Sequence, residues 1–241
     1  NRESNLMAIQ TINPSTEEIV ASYTEASYDE SVKTIESSHR ALLFWSQRPI
    51  PERADLLRNV ARILRERKND LAGLMAIEMG KPLIQGAAEA EKSAWGCEYF
   101  ADHAEEFLAR EMIATEASKS FVTYEPMGVI LAVMPWNFPF WQIFRFMPAL
   151  WMSGNTIILK HAPNVSGCAL AMEEITKAAG FPENILNILF APVETIPGII
   201  AHPCIQGVTF TGSPRTGRVI AVAAAEHLKK CVLELGGSDP Y

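Results

Sequence analysis

The sequence predicts an α/β fold, a parallel sheet with helices on both faces behind a helical N-terminal layer. Three observations predict it. From Gly128 onward, short apolar runs alternate with stretches of helical periodicity, the pattern of β-α-β units. Runs such as Gly128–Met134 are apolar throughout instead of alternating, as strands covered on both faces are. The first half carries apolar residues at helical spacing, punctuated by Pro and Gly.

The elements follow in order. Residues 9 to 24 read as short strands around an Asn13-Pro14-Ser15-Thr16 turn. A helix is expected over about 29 to 45, capped by Ser27 or Asp29, with Val32, Ile35, Ala41 and Leu42 on one face. Pro49 and Pro51 break it. A second helix is expected over about 51 to 68, a third over about 69 to 79 ending at Gly80, and a fourth over about 82 to 109. The fourth is rich in small residues (Gly86, Ala90, Ala94, Gly96) that permit close packing. Ser120 to Glu125 alternates as a strand. The β-α alternation then runs as strand 128 to 134, helix 140 to 153, strand 156 to 160, helix 165 to 179, strand 185 to 190, helix 194 to 201, strand 206 to 211, helix 214 to 227 and strand 229 to 234.

Composition narrows the function classes. The 241 residues carry a formal charge of −7, with Lys and Arg scattered among Asp and Glu, which argues against a nucleic-acid surface. Apolar residues make up 48%, enough for a real core. No apolar run reaches the roughly 20 residues of a membrane span; Val129 to Trp151, the richest, is broken by Pro135, Asn137, Pro139, Gln142, Arg145 and Pro148. The cysteines Cys97, Cys168, Cys204 and Cys231 show neither C-x-x-C nor disulfide-like spacing. Together with the lack of a signal-peptide pattern, this points to a cytoplasmic protein with reduced thiols. No metal-ligating motif is present.

Open parallel sheets bind ligands at the carboxyl ends of their strands, so the residues there are the candidates. After the first strand of the alternation comes Met134-Pro135-Trp136-Asn137-Phe138-Pro139, where two prolines stiffen a turn that can present the Asn137 amide as a hydrogen-bond donor; a helix-capping role fits equally. After the second stands Lys160, a cation suited to ribose or phosphate, or simply a solvated lysine. After the fourth comes Gly212-Ser213-Pro214-Arg215-Thr216-Gly217, a helix start that can receive a pyrophosphate, though not the G-x-G-x-x-G fingerprint. After the fifth comes Glu234-Leu235-Gly236-Gly237, a carboxylate able to act as general base beside glycines that admit a cofactor, or an interdomain hinge.

Taken in this order, and with Glu78-Met79-Gly80-Lys81-Pro82 upstream, these motifs resemble the NAD(P)-dependent aldehyde dehydrogenase superfamily from about Ile12 onward. The resemblance implies a Rossmann-like sheet of the aldehyde dehydrogenase type, with a small β-hairpin serving oligomerisation. It implies an NAD(P)-binding domain over 1–117 and 127–235, a bridging strand over 118–126, and the start of a catalytic domain over 236–241. It implies that Asn137 holds a thiohemiacetal oxyanion and that Glu234 is the general base. Lys160 would bind the adenosine ribose and Ser213 the pyrophosphate, with Met134, Pro135, Trp136, Gly212, Gly217, Leu235 and Gly236 along the cofactor path. The partners implied are a small-molecule aldehyde and a second copy of the chain, as homodimer or homotetramer.

Within the superfamily, Lys160-His161-Ala162-Pro163-Asn164 and Glu234-Leu-Gly-Gly-Ser-Asp-Pro look like the bacterial succinate-semialdehyde dehydrogenases. That branch binds the remote substrate carboxylate with an arginine at the spacing of Arg145. Eight residues after Asn137, Arg145 is expected on a similar face of one helix, with Phe138 beside the substrate; a surface arginine or a subunit-interface ion pair is the alternative. Two departures stand out. Pro163 replaces the Glu of NAD-preferring members, leaving NAD or NADP open. None of the cysteines lies in the Gly-Gln-x-Cys setting of the family nucleophile, so the thiol is expected beyond Tyr241 and the chain alone is expected to be inactive. A nucleotide-binding fragment or decayed paralogue is the alternative. Without the rest of such an enzyme, the strand at Ser120 to Glu125 would lack its partner and an apolar face would stand uncovered.

Overall fold

The computed structural model describes residues 8–238. The chain opens with a hairpin of β1 (Ala8–Ile12) and β2 (Ile19–Thr24), turned by Asn13, whose side chain accepts the Ser15 N–H at 2.9 Å. α1 (Tyr28–Trp45) starts with a capping box, in which the Ser27 hydroxyl accepts from the Glu30 N–H and the Glu30 carboxylate from the Ser27 N–H. α2 (Ile50–Glu66) and α3 (Lys68–Met79) follow. Gly80 ends α3 in the left-handed conformation at φ 73°, returning N–H bonds to its last turn. α4 (Leu83–Phe107) lies close against both: a Cβ on Gly86 would meet the Ala72 Cα at 2.9 Å, so only glycine allows this approach.

Two short strands, β3 (Glu111–Met112) and β4 (Phe121–Val122), pair antiparallel. The strand expected at Ser120 to Glu125 is thus reduced to its first half, and its partner lies within the chain. β3 was not visible in the sequence, because a two-residue strand has no periodicity to display.

The main sheet comprises β5 (Val129–Met134), β6 (Thr156–His161), β7 (Leu186–Ile188), β8 (Ile205–Gly212) and β9 (Lys230–Leu235), all parallel, in the order β7-β6-β5-β8-β9. The winding reverses between β5 and β8, and such a switch point opens a crevice at the carboxyl ends of those strands. One face of the sheet packs on α2, α3 and α4 through Leu57, Leu64, Met75 and Ala94, which form the helical layer. α7 (Ser166–Ala178) joins them with Met172 and Ile175. The other face packs on α1, α8 (Ile196–Ala201) and α9 (Pro214–Glu226) through Ile35, Ile199 and Ile220.

The helix expected over 140 to 153 is two helices, α5 (Trp141–Phe144) and α6 (Met147–Met152). Pro148 causes the break: it has no N–H for the Phe144 carbonyl, and its ring crowds the preceding turn. Arg145 therefore caps α5, and Asn137 lies in the loop ahead of it. The premise that both share a helical face does not hold.

Among the described residues β9 forms one edge of the sheet. β9 exposes Val232 and Leu235, and an apolar crevice of about 310 Å³ lies between Met127, Ile130, Leu150, Val208 and Val232. Among the described residues no helix is long and apolar enough to cross a membrane. None of their His, Cys, Asp and Glu side chains gather as a metal site.

Candidate active site

The register of the sheet sets the candidate residues side by side. Val133 pairs with Lys160 and Met134 with His161 on one flank, and Thr211 pairs with Glu234 and Gly212 with Leu235 on the other. Met134 is buried at the end of β5, and the chain then rises into the loop bearing Asn137, where Trp136, Asn137 and Phe138 are all exposed. Pro135 is half-buried and Pro139 buried.

Arg145 reaches across to the second flank. One of its terminal nitrogens donates to the Thr211 hydroxyl at 3.0 Å, and the other lies 3.7 Å from the Glu234 carboxylate. Its Nε is buried with no hydrogen-bond partner among the described residues. The break between α5 and α6 delivers the guanidinium here, so the arginine and the glutamate singled out in the sequence do meet, by a different geometry. Together they place a cation and a carboxylate at the mouth of the switch-point crevice, suited to holding an anionic group and to accepting a proton.

Lys160 lies on the other face of the sheet, half-buried beside a slot of about 160 Å³ between α8 and α9, lined by Val133, Ile196, Pro197, Val219 and Ile220. Burial pulls its ammonium pKa below the usual lysine value, while the Glu25 carboxylate pushes the other way. A flat apolar slot with one cation at its rim fits a purine with a ribose or phosphate beside it. At the head of α9, the Ser213 hydroxyl accepts the Thr216 N–H at 3.2 Å, and the first turn holds no acidic residue. Pro214 has no N–H and the Gly217 N–H bonds the Ser213 carbonyl at 2.9 Å, so in this turn the Arg215 N–H is the one left to meet an anion. Gly212 and Gly217 serve packing: a Cβ at Gly217 would lie 2.5 Å from Leu235 and one at Gly212 2.6 Å from Phe210. Gly236 is exposed. Asp239 to Tyr241, the end of the expected 236–241 segment, lie outside the described residues.

Several residues that organise this site were missed in the sequence. Glu89, 4% exposed, accepts the Phe140 and Trp141 N–H groups at 2.8 and 2.9 Å and pairs with buried Lys81. The Lys81 ammonium also sits 3.9 Å above the Phe138 ring. His161 bonds the Pro139 carbonyl through Nε2 at 2.9 Å, while its Nδ1 accepts the Ala162 N–H at 2.9 Å. Burial lowers its pKa to about 4, so it is neutral. Glu78 accepts the Gly167 and Cys168 N–H groups at the start of α7, and burial raises its pKa. Glu89 had left a signal: it lies three residues after Gly86, a charge on the small-residue packing face of α4.

No thiol is activated here. Burial raises the pKa of all four cysteines, and Cys97 and Cys168 are enclosed in the core.

Known proteins share the sequence and the fold. The aldehyde dehydrogenase family profile matches residues 2–241. The chain is 46% identical over 235 residues to a probable succinate-semialdehyde dehydrogenase [NADP(+)] of Synechocystis sp., covering 98% of this chain and 52% of that protein. It is 39% identical over 231 residues to a succinate semialdehyde dehydrogenase [NAD(P)+] of Escherichia coli, covering 96% of this chain and 50% of that one. A solved structure of succinic semialdehyde dehydrogenase from Streptococcus pyogenes with NADP+ superposes with a TM-score of 0.93 at 35% identity, over 96% of this chain and 51% of that one. The chain spans about half the length of these relatives. On sequence, fold and the order of its motifs, it belongs to the aldehyde dehydrogenase family.

Proposed function

We propose that this chain is the cofactor-binding part of an NADP- or NAD-dependent aldehyde dehydrogenase that oxidises succinate semialdehyde to succinate. The observation that carries the reading is the half-buried Arg145 guanidinium, braced by Thr211 beside Glu234 at the switch-point crevice. A guanidinium held there binds a carboxylate in forked fashion and fixes the far end of a short dicarboxylate semialdehyde. Relatives named for this activity, at 39–46% identity, support it.

In this reading the Asn137 amide donates to the oxygen of the carbonyl under attack, where negative charge grows. Glu234 takes a proton from the attacking thiol or from the water that releases the acid. Phe138 forms an apolar wall for the substrate. The thiol itself comes from outside these residues, since all four cysteines are held in their protonated form. Lys160 holds the adenosine ribose, the head of α9 with Ser213 takes the pyrophosphate, and Trp136, Pro135, Leu235 and Gly236 border the path toward the crevice. The dinucleotide, when bound, supplies the hydride acceptor. Pro163, exposed after Lys160, puts no carboxylate against a 2′-phosphate, which favours acceptance of NADP.

The NAD(P)-binding domain is taken as 1–117 and 127–235, with 118–126 as the bridging and oligomerisation strand and 236–241 leading into the catalytic domain. The β3–β4 hairpin extends the bridging element back to Glu111. The enzyme is assigned to the cytoplasm as a homodimer or homotetramer. The complete gene product tests the reading: with NADP, kcat/KM for succinate semialdehyde should exceed that for butanal, which has the same chain length and no carboxylate. Equal values for the two would refute the substrate assignment.

A further inference from the structure

The loop that carries Asn137 has no regular secondary structure between Met134 and Trp141, yet buried side chains hold the residues that follow the asparagine. On the C-terminal side, a single oxygen of Glu89 accepts the N–H groups of both Phe140 and Trp141. The other oxygen pairs with Lys81, whose ammonium covers the ring of Phe138, the residue next to Asn137. From beneath, neutral His161 donates through Nε2 to the Pro139 carbonyl while its Nδ1 accepts the Ala162 N–H, tying the loop to the end of β6. Glu89, Lys81 and His161 are each no more than 6% exposed. Burying an ion pair costs desolvation, and apolar residues of similar volume hold a fold together as well or better. The ion pair is therefore poorly explained by stability, and its contacts converge on one loop.

We propose that Glu89 and His161 are positioning residues for Asn137: they fix the height and tilt of its amide, with Lys81 holding the Glu89 carboxylate in place. The proposal rests on the reading of Asn137 as the oxyanion donor. A donor must stand where the charge develops, and a displacement of about 1 Å is enough to lose on the order of 100-fold in rate.

The test uses the complete enzyme and a mutant cycle. One variant is the Lys81→Met/Glu89→Leu double change, which replaces the ion pair with apolar groups of similar size. The other is His161→Leu. Each is made alone and together with Asn137→Ala. In the wild-type background we expect kcat to fall by roughly 10- to 100-fold, with the NADP dissociation constant unchanged within about threefold. In the Asn137→Ala background the same changes should cost less than about threefold more, because they act through a side chain already removed. His161→Gln, which keeps a donor and an acceptor, should restore most of kcat. Losses that multiply in both backgrounds would overturn the proposal, as would full activity in the variants. If Asn137→Ala alone leaves kcat unchanged, the oxyanion reading fails first, and separately. Should the double variant fail to fold, the His161 arm decides the outcome.

Discussion

Replacing Arg145 with alanine separates recognition of a substrate carboxylate from every other part of the site. In the structure the guanidinium makes one hydrogen bond, to the Thr211 hydroxyl at 3.0 Å, and one looser ionic contact, to Glu234 at 3.7 Å. The Glu234 side chain is 55% exposed, so that contact is screened and contributes little, less than about 1 kcal/mol. Losing these two contacts should therefore hardly disturb the fold. A bound substrate carboxylate would instead make charge-assisted hydrogen bonds to a guanidinium that is only 28% exposed, worth about 1.5–3 kcal/mol. At 1.4 kcal/mol per factor of ten, kcat/KM for succinate semialdehyde should drop by roughly 10- to 150-fold, mostly through KM. For butanal the change should stay within about threefold, because no carboxylate is there to lose. Steady-state kinetics on both aldehydes, following reduced cofactor by absorbance, measures the two ratios. Equal losses for the two substrates would show that Arg145 acts on folding or on Glu234 and not on the carboxylate. Unchanged kinetics for succinate semialdehyde would remove it from the site.

Two further predictions follow from packing and protonation. Gly86→Val puts a Cβ 2.9 Å from the Ala72 Cα and forces α4 away from α3, so it should destabilise the protein by about 1–3 kcal/mol and lower Tm; an unchanged Tm would show that this helix pair yields freely. His161 is buried and neutral in the folded state with a pKa near 4, against 6.5 for an exposed histidine. The unfolded chain therefore binds the extra proton first as pH falls, and stability is fully present above pH 6.5 and lost progressively toward pH 4, by up to about 3 kcal/mol. Urea midpoints between pH 7 and 4.5 should show this slope in the wild type and a flatter one in His161→Gln; identical slopes would mean that other groups set the acid limit.

The legible part of the fold was the part written in periodic patterns. The alternation of apolar runs and helical stretches after Gly128 located all five strands of the sheet, since strands covered on both faces leave unbroken apolar segments. Gly80 and Ser27 marked helix ends because a left-handed cap and a capping box need particular residues. The helix over 140 to 153 was misread because its apolar spacing continues straight through Pro148, and spacing alone does not register a missing N–H. β3 was too short to show any pattern.

By itself, the sequence determined the class of fold, the order of the elements, and which residues end the strands, because each of these depends on local preference and on burial pattern. It also carried the motifs that mark the family. The tertiary structure alone decided how those residues meet. Strand order places Glu234 next to Thr211, and the broken helix swings Arg145 onto both. Glu89, 51 residues from Phe140 along the chain, closes on its N–H, and His161 closes on the Pro139 carbonyl from the neighbouring strand. These are contacts between residues far apart in the chain, formed by how the sheet is wound and how the helices pack on it. No short window of sequence contains both members of such a pair, so the loop bearing Asn137 was readable as a motif, while what holds it in place was not.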